Sequence, residues 1–137
     1  MADPVARDEM VELARRARTW AHAPYSGYAV GACAEDSGGG LHVGCNVENA
    51  AYPEGLCAEA VALGALVAAG GGRLRSIVVV GGPAGEAERP SPPCGGCRQK
   101  LAELALADAR VYVLDRTGAY GGRLLGELLP DTFRLKP

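Results

Sequence analysis

Apolar positions at Met10, Leu13, Ala14, Ala17 and Ala21 recur in three- and four-residue steps, while Arg7, Glu12, Arg15 and Arg18 lie largely off that stripe. The spacing predicts a helix with one buried face. Asp3-Pro4 reads as its start, an acid at the N-cap followed by proline at the first helical position. Ala23-Pro24 reads as its end, because a residue before proline disfavours helix. Pro24 to Tyr28 follows as a loop. Ala29 to Glu35 and Leu41 to Val47 then read as hairpin strands around the flexible turn Ser37-Gly38-Gly39-Gly40. Glu48 to Gly55 is a loop.

From Ala60 to Ala69 every residue is apolar or glycine. A Cys57–Ala69 helix that is apolar all round is expected to be buried on several sides, with Gly70-Gly71-Gly72 stopping it. Ser76 to Val80 is a run rich in β-branched residues, the mark of a central strand covered on both faces. Gly81 to Pro93 is a proline-rich loop. A helix then starts near Cys94 and runs through Leu101, Leu104 and Ala105, with a strand at Arg110–Leu114. Arg116 to Gly122 is a turn or short strand, and Leu124 to Leu129 a short helix stopped by Pro130. Helices alternating with strands in the second half imply crossover connections and a partly parallel sheet. The expected fold is a three-layer α/β/α domain on a central mixed β-sheet, one domain over residues 1–137.

Composition narrows the function classes. A net charge of −2, with one Phe and one Trp, provides neither a basic footprint nor a stacking platform for a polynucleotide. No apolar run reaches membrane-spanning length, and the mixed charges of Met1 to Arg18 resemble no targeting segment. Five cysteines without a secretion signal point to a reducing cytoplasm rather than a disulfide framework.

The candidate chemistry lies in Leu56-Cys57-Ala58-Glu59-Ala60-Val61 and Pro92-Pro93-Cys94-Gly95-Gly96-Cys97-Arg98-Gln99. Cys94 and Cys97, in a C-x-x-C, can reach one metal from a tight turn, and Cys57 supplies a third thiolate. Three protein ligands leave one tetrahedral position open, as a catalytic zinc requires. Glu59, two residues after Cys57, can take a proton from an activated water and pass it to a substrate. An x-E element followed by P-C-x-x-C is the pattern of the zinc deaminases. A redox pair or half of a structural zinc site is the bland reading of the C-x-x-C alone. Cys33 and Cys45 read as small buried residues, and His22 and His42 as surface or structural groups.

Four segments carry a resemblance across nearly the whole chain: Pro24-Tyr25-Ser26 with Val30-Gly31-Ala32; Gly44-Cys45-Asn46-Val47-Glu48-Asn49-Ala50; Cys57-Ala58-Glu59; and Pro93 to Gln99. Glu127 to Pro130 and Phe133 also fit. The chain resembles the small homotetrameric cytidine deaminases. The resemblance implies one Zn²⁺ per subunit on Cys57, Cys94 and Cys97, with Glu59 shuttling protons. It implies that Asn46 and Glu48 bind the ribose hydroxyls, that backbone groups of Ala58 meet the pyrimidine, and that Tyr28 lines the base pocket where the family usually has Phe. Tyr52 and Phe133 would complete a neighbouring subunit's site. The implied reaction is hydrolytic deamination of cytidine or deoxycytidine to uridine or deoxyuridine, with release of ammonia, by a cytoplasmic homotetramer that binds no polynucleotide and no membrane.

Three positions depart from the pattern. Ala60 stands where many members have Arg, which would weaken charge compensation of three thiolates unless helix termini or Arg98 make it good. Glu54 replaces a small or apolar residue, and Tyr28 adds a hydroxyl to the pocket wall. These departures keep open a modified cytosine nucleoside, of the blasticidin S type, as an alternative substrate. A non-enzymatic zinc module would instead need a fourth protein ligand.

Overall fold

The computed structural model describes residues 4–136. Its elements are α1 (Asp8–Arg18), β1 (Tyr28–Asp36), β2 (Leu41–Cys45), α2 (Ala58–Ala68), β3 (Leu74–Pro83), α3 (Gly95–Leu104), β4 (Ala105–Leu114), β5 (Tyr120–Leu124) and α4 (Leu125–Leu128), with a 3-10 turn at Tyr52–Glu54. The five strands form one sheet in the order β2-β1-β3-β4-β5. Only β3 and β4 run parallel; the other three pairings are antiparallel. The expected mixed α/β architecture is therefore present, with α3 as the crossover that a parallel pair requires.

The β-branched run of β3 occupies the centre, with Ser76 to Gly82 all buried. Alternation sorts its side chains to the two faces. Val78 and Val80 join Cys33, Met10, Ala14 and Tyr120 beneath α1. Ile77 and Val79 join Ala32, Ala34, Leu66, Leu101 and Leu125 beneath α2, α3 and α4. Two glycines let helices press directly on the sheet. A Cβ on Gly31 would lie 2.0 Å from Ala14 O, and one on Gly44 would lie 2.5 Å from Ala62 N and 2.7 Å from Ala58 O.

The first helix differs from its expected extent. It begins at Asp8 rather than Pro4, and the expected cap Asp3 lies outside the described residues. Val5 instead bridges Gly121, with Ala6 N donating to Tyr120 O at 2.9 Å and Gly122 N to Pro4 O at 2.9 Å. The free edge of β5 captures this segment, and those edge hydrogen bonds outweigh a local start signal. At the other end Thr19 caps the helix, its hydroxyl donating to Arg16 O at 2.6 Å, so Ala21 falls beyond it. The α2 helix, apolar or glycine from Ala60 onward, is covered on one side by its own chain: Ala58, Glu59, Ala62, Leu63 and Leu66 are buried, while Gly64, Val67 and Ala68 are exposed. No helix among the described residues is long and apolar enough to cross a membrane.

The contact at Gly44 fixes how α2 lies on β2. Gly44→Ala would drive a methyl carbon into backbone that cannot rotate away, so we expect a loss of about 1–3 kcal/mol, read as a lower urea midpoint at unchanged m-value. An unchanged midpoint would contradict the close approach of these two elements.

Candidate functional site

Cys57 and Cys94 occupy equivalent places, each the extended N-cap residue of a helix, α2 and α3 respectively. Cys97 follows in the first turn of α3 and is fully buried. The two helix starts meet, and the three sulfur atoms lie within 4.8 Å of one another. Among the described residues no other His, Cys, Asp or Glu joins this group. A zinc ion with Zn–S bonds of about 2.3 Å sets tetrahedral sulfurs roughly 3.8 Å apart, so the donor set fits that ion with one position left over.

Electrostatics favour a cation here. Burial, the Glu59 carboxyl and the neighbouring Cys57 sulfur push the Cys97 thiol up. Burial also raises Cys57, whereas the Cys97 backbone amide lowers Cys94. Glu59, in the first turn of α2, is only 5% exposed, and burial raises its carboxyl above the ordinary range. Lys100 on α3 partly opposes that shift.

The cluster opens into a cavity of about 540 Å³ lined by Tyr28, Asn46, Glu48, Cys57, Glu59 and Ser91, among others. Ala58 and Tyr52 line it too. Phe133 does not: it is 69% exposed near the C-terminal end, where its backbone exchanges hydrogen bonds with the Gln99 side chain at 3.0 and 3.2 Å. Tyr52 is 75% exposed and packs edge-on against Tyr25, ring centroids 5.8 Å apart.

Asn46 and Glu48 are already engaged. Asn46 Oδ1 accepts from Val30 N and its Nδ2 donates to Tyr28 O, both at 2.8 Å. Glu48 Oε1 accepts from Tyr25 N at 2.9 Å and Ser26 N at 3.0 Å, and Oε2 accepts from the Ser26 hydroxyl. The Ser26 hydrogen bonds, with Tyr25 N, hold the Glu48 carboxyl below its usual range. Each side chain keeps spare capacity: one N–H and one lone pair on Asn46, and a free lone pair on Oε2 of Glu48.

Of the departing residues, Ala60 faces a groove between α2 and α3 shared with Lys100, and Glu54 is exposed. Arg98 donates to Pro93 O at 2.8 Å and Leu128 O at 3.0 Å, so its guanidinium ties the start of α3 to α4. Cys33 is buried as expected, Cys45 only partly. His42 Nε2 lies 2.7 Å from Asp36 Oδ2 in the β1–β2 turn, a structural role.

Val79 and Ser91 also line the cavity, and neither stands out in the sequence; a serine in a proline-rich loop reads as a turn former. A second set of residues holds that loop. Arg18 donates to Pro83 O at 2.8 Å and Glu86 O at 3.0 Å. Glu88 accepts from Arg15 and, at 2.6 Å, from the Tyr120 hydroxyl.

Residues 5–114 match the family model of the cytidine and deoxycytidylate deaminase zinc-binding region. The chain is 39% identical over 127 residues to a cytidine deaminase of Halalkalibacterium halodurans, covering 93% of each. It is 41% identical over 122 residues to one of Mycobacterium tuberculosis, covering 89% of this chain and 85% of the relative. The crystal structure of cytidine deaminase from Burkholderia pseudomallei is similar at TM-score 0.82 and 39% identity, over 93% of this chain and 99% of that one. The Mycobacterium tuberculosis enzyme's structure is similar at TM-score 0.79 and 38% identity, over 95% and 100%.

Arg15 first, then Tyr120, lowers the Glu88 carboxyl. A depressed native pKa contributes stability above the unfolded value of about 4.3 and loses it as pH falls through the native value. Arg15→Gln should therefore flatten the acid limb of stability below about pH 4.3, measured by urea unfolding across pH. An unaltered acid limb would deny Glu88 this role.

Proposed function

We propose, on the premise that this chain belongs to the cytidine and deoxycytidylate deaminase family, that it hydrolyses cytidine and deoxycytidine to uridine and deoxyuridine. The observation that carries the reading is three sulfurs within 4.8 Å of one another, of which those of Cys57 and Cys94 line one cavity together with buried Glu59. Cys57, Cys94 and Cys97 hold the zinc. A zinc ion there supplies Lewis-acid activation of a water, bringing its acidity toward neutrality.

Glu59 performs the proton transfers. Burial raises its carboxyl above the ordinary range, which strengthens it as a proton acceptor. It takes the proton of the attacking water and delivers it to ring N3, which makes C4 electrophilic. Oxygen bonds to C4; Glu59, now a carboxylate again, takes the remaining proton from that oxygen and passes it to the amino group, and the C4–N bond breaks as the C4 carbonyl forms. Cytidine and water become uridine and ammonia. The spare donor and lone pairs of Asn46 and Glu48 take the ribose hydroxyls. The Ala58 backbone meets the pyrimidine, and Tyr28 forms the wall beside it. Tyr52 and Phe133, both strongly exposed, reach a neighbouring subunit's site.

The assembly follows from α2. Gly64, Val67 and Ala68 present an exposed apolar face continuous with a groove lined by Ala60, Leu63 and Leu104. A second copy of the chain covers that face, and the tetrameric number is the family's. A reducing cytoplasm is the setting that keeps the Cys57, Cys94 and Cys97 thiols available to a metal. Residues 1–137 function as one domain.

Glu59→Gln should lower the deamination rate by about 10²–10⁴-fold, followed by loss of cytidine absorbance, while retaining zinc. Full activity in the variant would refute the proton-transfer assignment, and an inactive zinc-loaded wild type would refute the substrate. The chain should sediment above monomer mass at micromolar concentration, with Val67→Asp shifting it toward monomer. A monomeric wild type would refute the covered face.

A further inference from the structure

Above the glycine at position 81, two side chains meet that the reaction does not use. A Cβ on Gly81 would lie 2.4 Å from Ser91 Oγ and 3.2 Å from Tyr28 Cε1, so the bare backbone lets both side chains settle on the sheet. The loop is pinned beside them, Arg89 N donating to Gly81 O at 2.8 Å. Tyr28 and Ser91 both line the cavity, and their hydroxyl oxygens are 2.5 Å apart. Ser91 Oγ also donates to Arg89 O at 3.0 Å.

Each hydroxyl has one proton. The Ser91 proton goes to the Arg89 carbonyl, so the Tyr28 proton goes to Ser91. The chain of donors runs Tyr28 to Ser91 to Arg89 and ends there. What remains on the Tyr28 oxygen is lone pairs. Asn46 and Ser26 hold the Tyr28 backbone, Asn46 Nδ2 donating to Tyr28 O at 2.8 Å and Tyr28 N donating to Ser26 Oγ at 3.0 Å, while the Tyr28 ring runs on to Ser91 in the segment that enters Cys94. The hydroxyl pair is thereby carried away from the Asn46 and Ser26 side chains, toward the segment that leads to the thiols.

We propose that Tyr28 and Ser91 form a specificity-determining pair that accepts a hydrogen-bond donor and rejects an acceptor on the base, an inference that rests on the cavity being a cytosine nucleoside site. The exocyclic amino group of cytosine is a donor; the oxygen that replaces it in uracil is an acceptor. The pair thus favours substrate over product and assists product departure.

The test is the ratio of uridine to cytidine dissociation constants, measured by calorimetry on zinc-loaded protein in a Glu59→Gln background, where turnover during the titration is slowed and is checked by the cytidine absorbance. Adding Tyr28→Phe removes the acceptor and should shrink the preference for cytidine about tenfold, the scale of one neutral hydrogen bond. Adding Ser91→Ala frees the Tyr28 proton for the uracil oxygen, so uridine should bind more tightly in absolute terms. The double substitution should match Tyr28→Phe alone. If the variants weaken both nucleosides in equal proportion, or their effects add, the pair merely packs and the proposal falls. An unchanged ratio in a chain whose unmodified form deaminates cytidine overturns this proposal alone. Failure of the unmodified zinc-loaded chain to deaminate or bind cytidine overturns the site reading and the pair's role with it.

Discussion

Four acidic groups, three thiols and the Glu59 carboxyl, are gathered at one end of the sheet, and their mutual repulsion in a partly desolvated place is the constraint everything nearby answers to. Burial is the largest cause that raises Glu59, Cys57 and Cys97, and at the two thiols the neighbouring sulfurs and the Glu59 carboxyl add to it. The chain's own cations do little to offset this. Arg98 is spent on two carbonyls, and position 60 holds alanine. The remaining compensation comes from the N-termini of α2 and α3, which point their free amides at the cluster, and from Lys100, which acts on Glu59. The arrangement is poorly balanced as a set of protein groups and better balanced around a divalent cation, as the zinc-binding family of this chain requires.

Holding such a cluster together requires that its supporting segments cannot relax apart. On the α2 side, Gly44 lets β2 lie against the helix backbone, so Cys57 and Glu59 cannot shift without moving the sheet. On the α3 side the support is polar. Arg18 binds two carbonyls at the start of the β3–α3 loop, and Glu88 is held from α1 by Arg15 and from β5 by Tyr120. Rigid helices thus present the sulfurs, while a loop fixed from the opposite face of the sheet delivers Ser91 and Cys94.

Much of this was legible in the sequence. The hairpin, the central β3 strand and the paired helix starts follow from local patterns: alternation, a β-branched run, and cysteines followed by helical segments. The cysteine spacing and Glu59 identified the chemistry because metal ligation demands particular residue types. What local patterns could not convey was long-range pairing. Arg15 and Glu88 are 73 positions apart, and as isolated charges each reads as solvated surface. The start of α1 departs from its local signal for the same reason: Asp3-Pro4 is a sound cue for a helix, yet the open edge of β5 claims Pro4 to Ala6 first. The α2 segment, more apolar than one buried face needs, does point to a surface for a second copy, but no single apolar residue carries a mark saying which positions its own chain covers.

The engagement of Asn46 and Glu48 in the free chain bears on how the cavity recognises a ligand. A polar side chain that binds a ligand from solvent must first be ordered, at a cost of about 0.5–1.5 kcal/mol per immobilised side chain. Here folding has already met that cost: Asn46 is clamped to the β1 backbone, and Glu48 to the amides of Tyr25 and Ser26. The Ser26 hydroxyl first, and then these amides, keep Glu48 ionised at lower pH, so it presents a carboxylate, the stronger acceptor, to the cavity. The residual hydrogen-bonding positions point where folding leaves them, which makes them selective in direction as well as in chemistry. One consequence is that Ser26, whose hydroxyl accepts from Tyr28 N while donating to Glu48, connects the Glu48 side of the cavity to its Tyr28 wall. A change at Ser26 would therefore disturb both at once, although its own side chain carries no part of the chemistry.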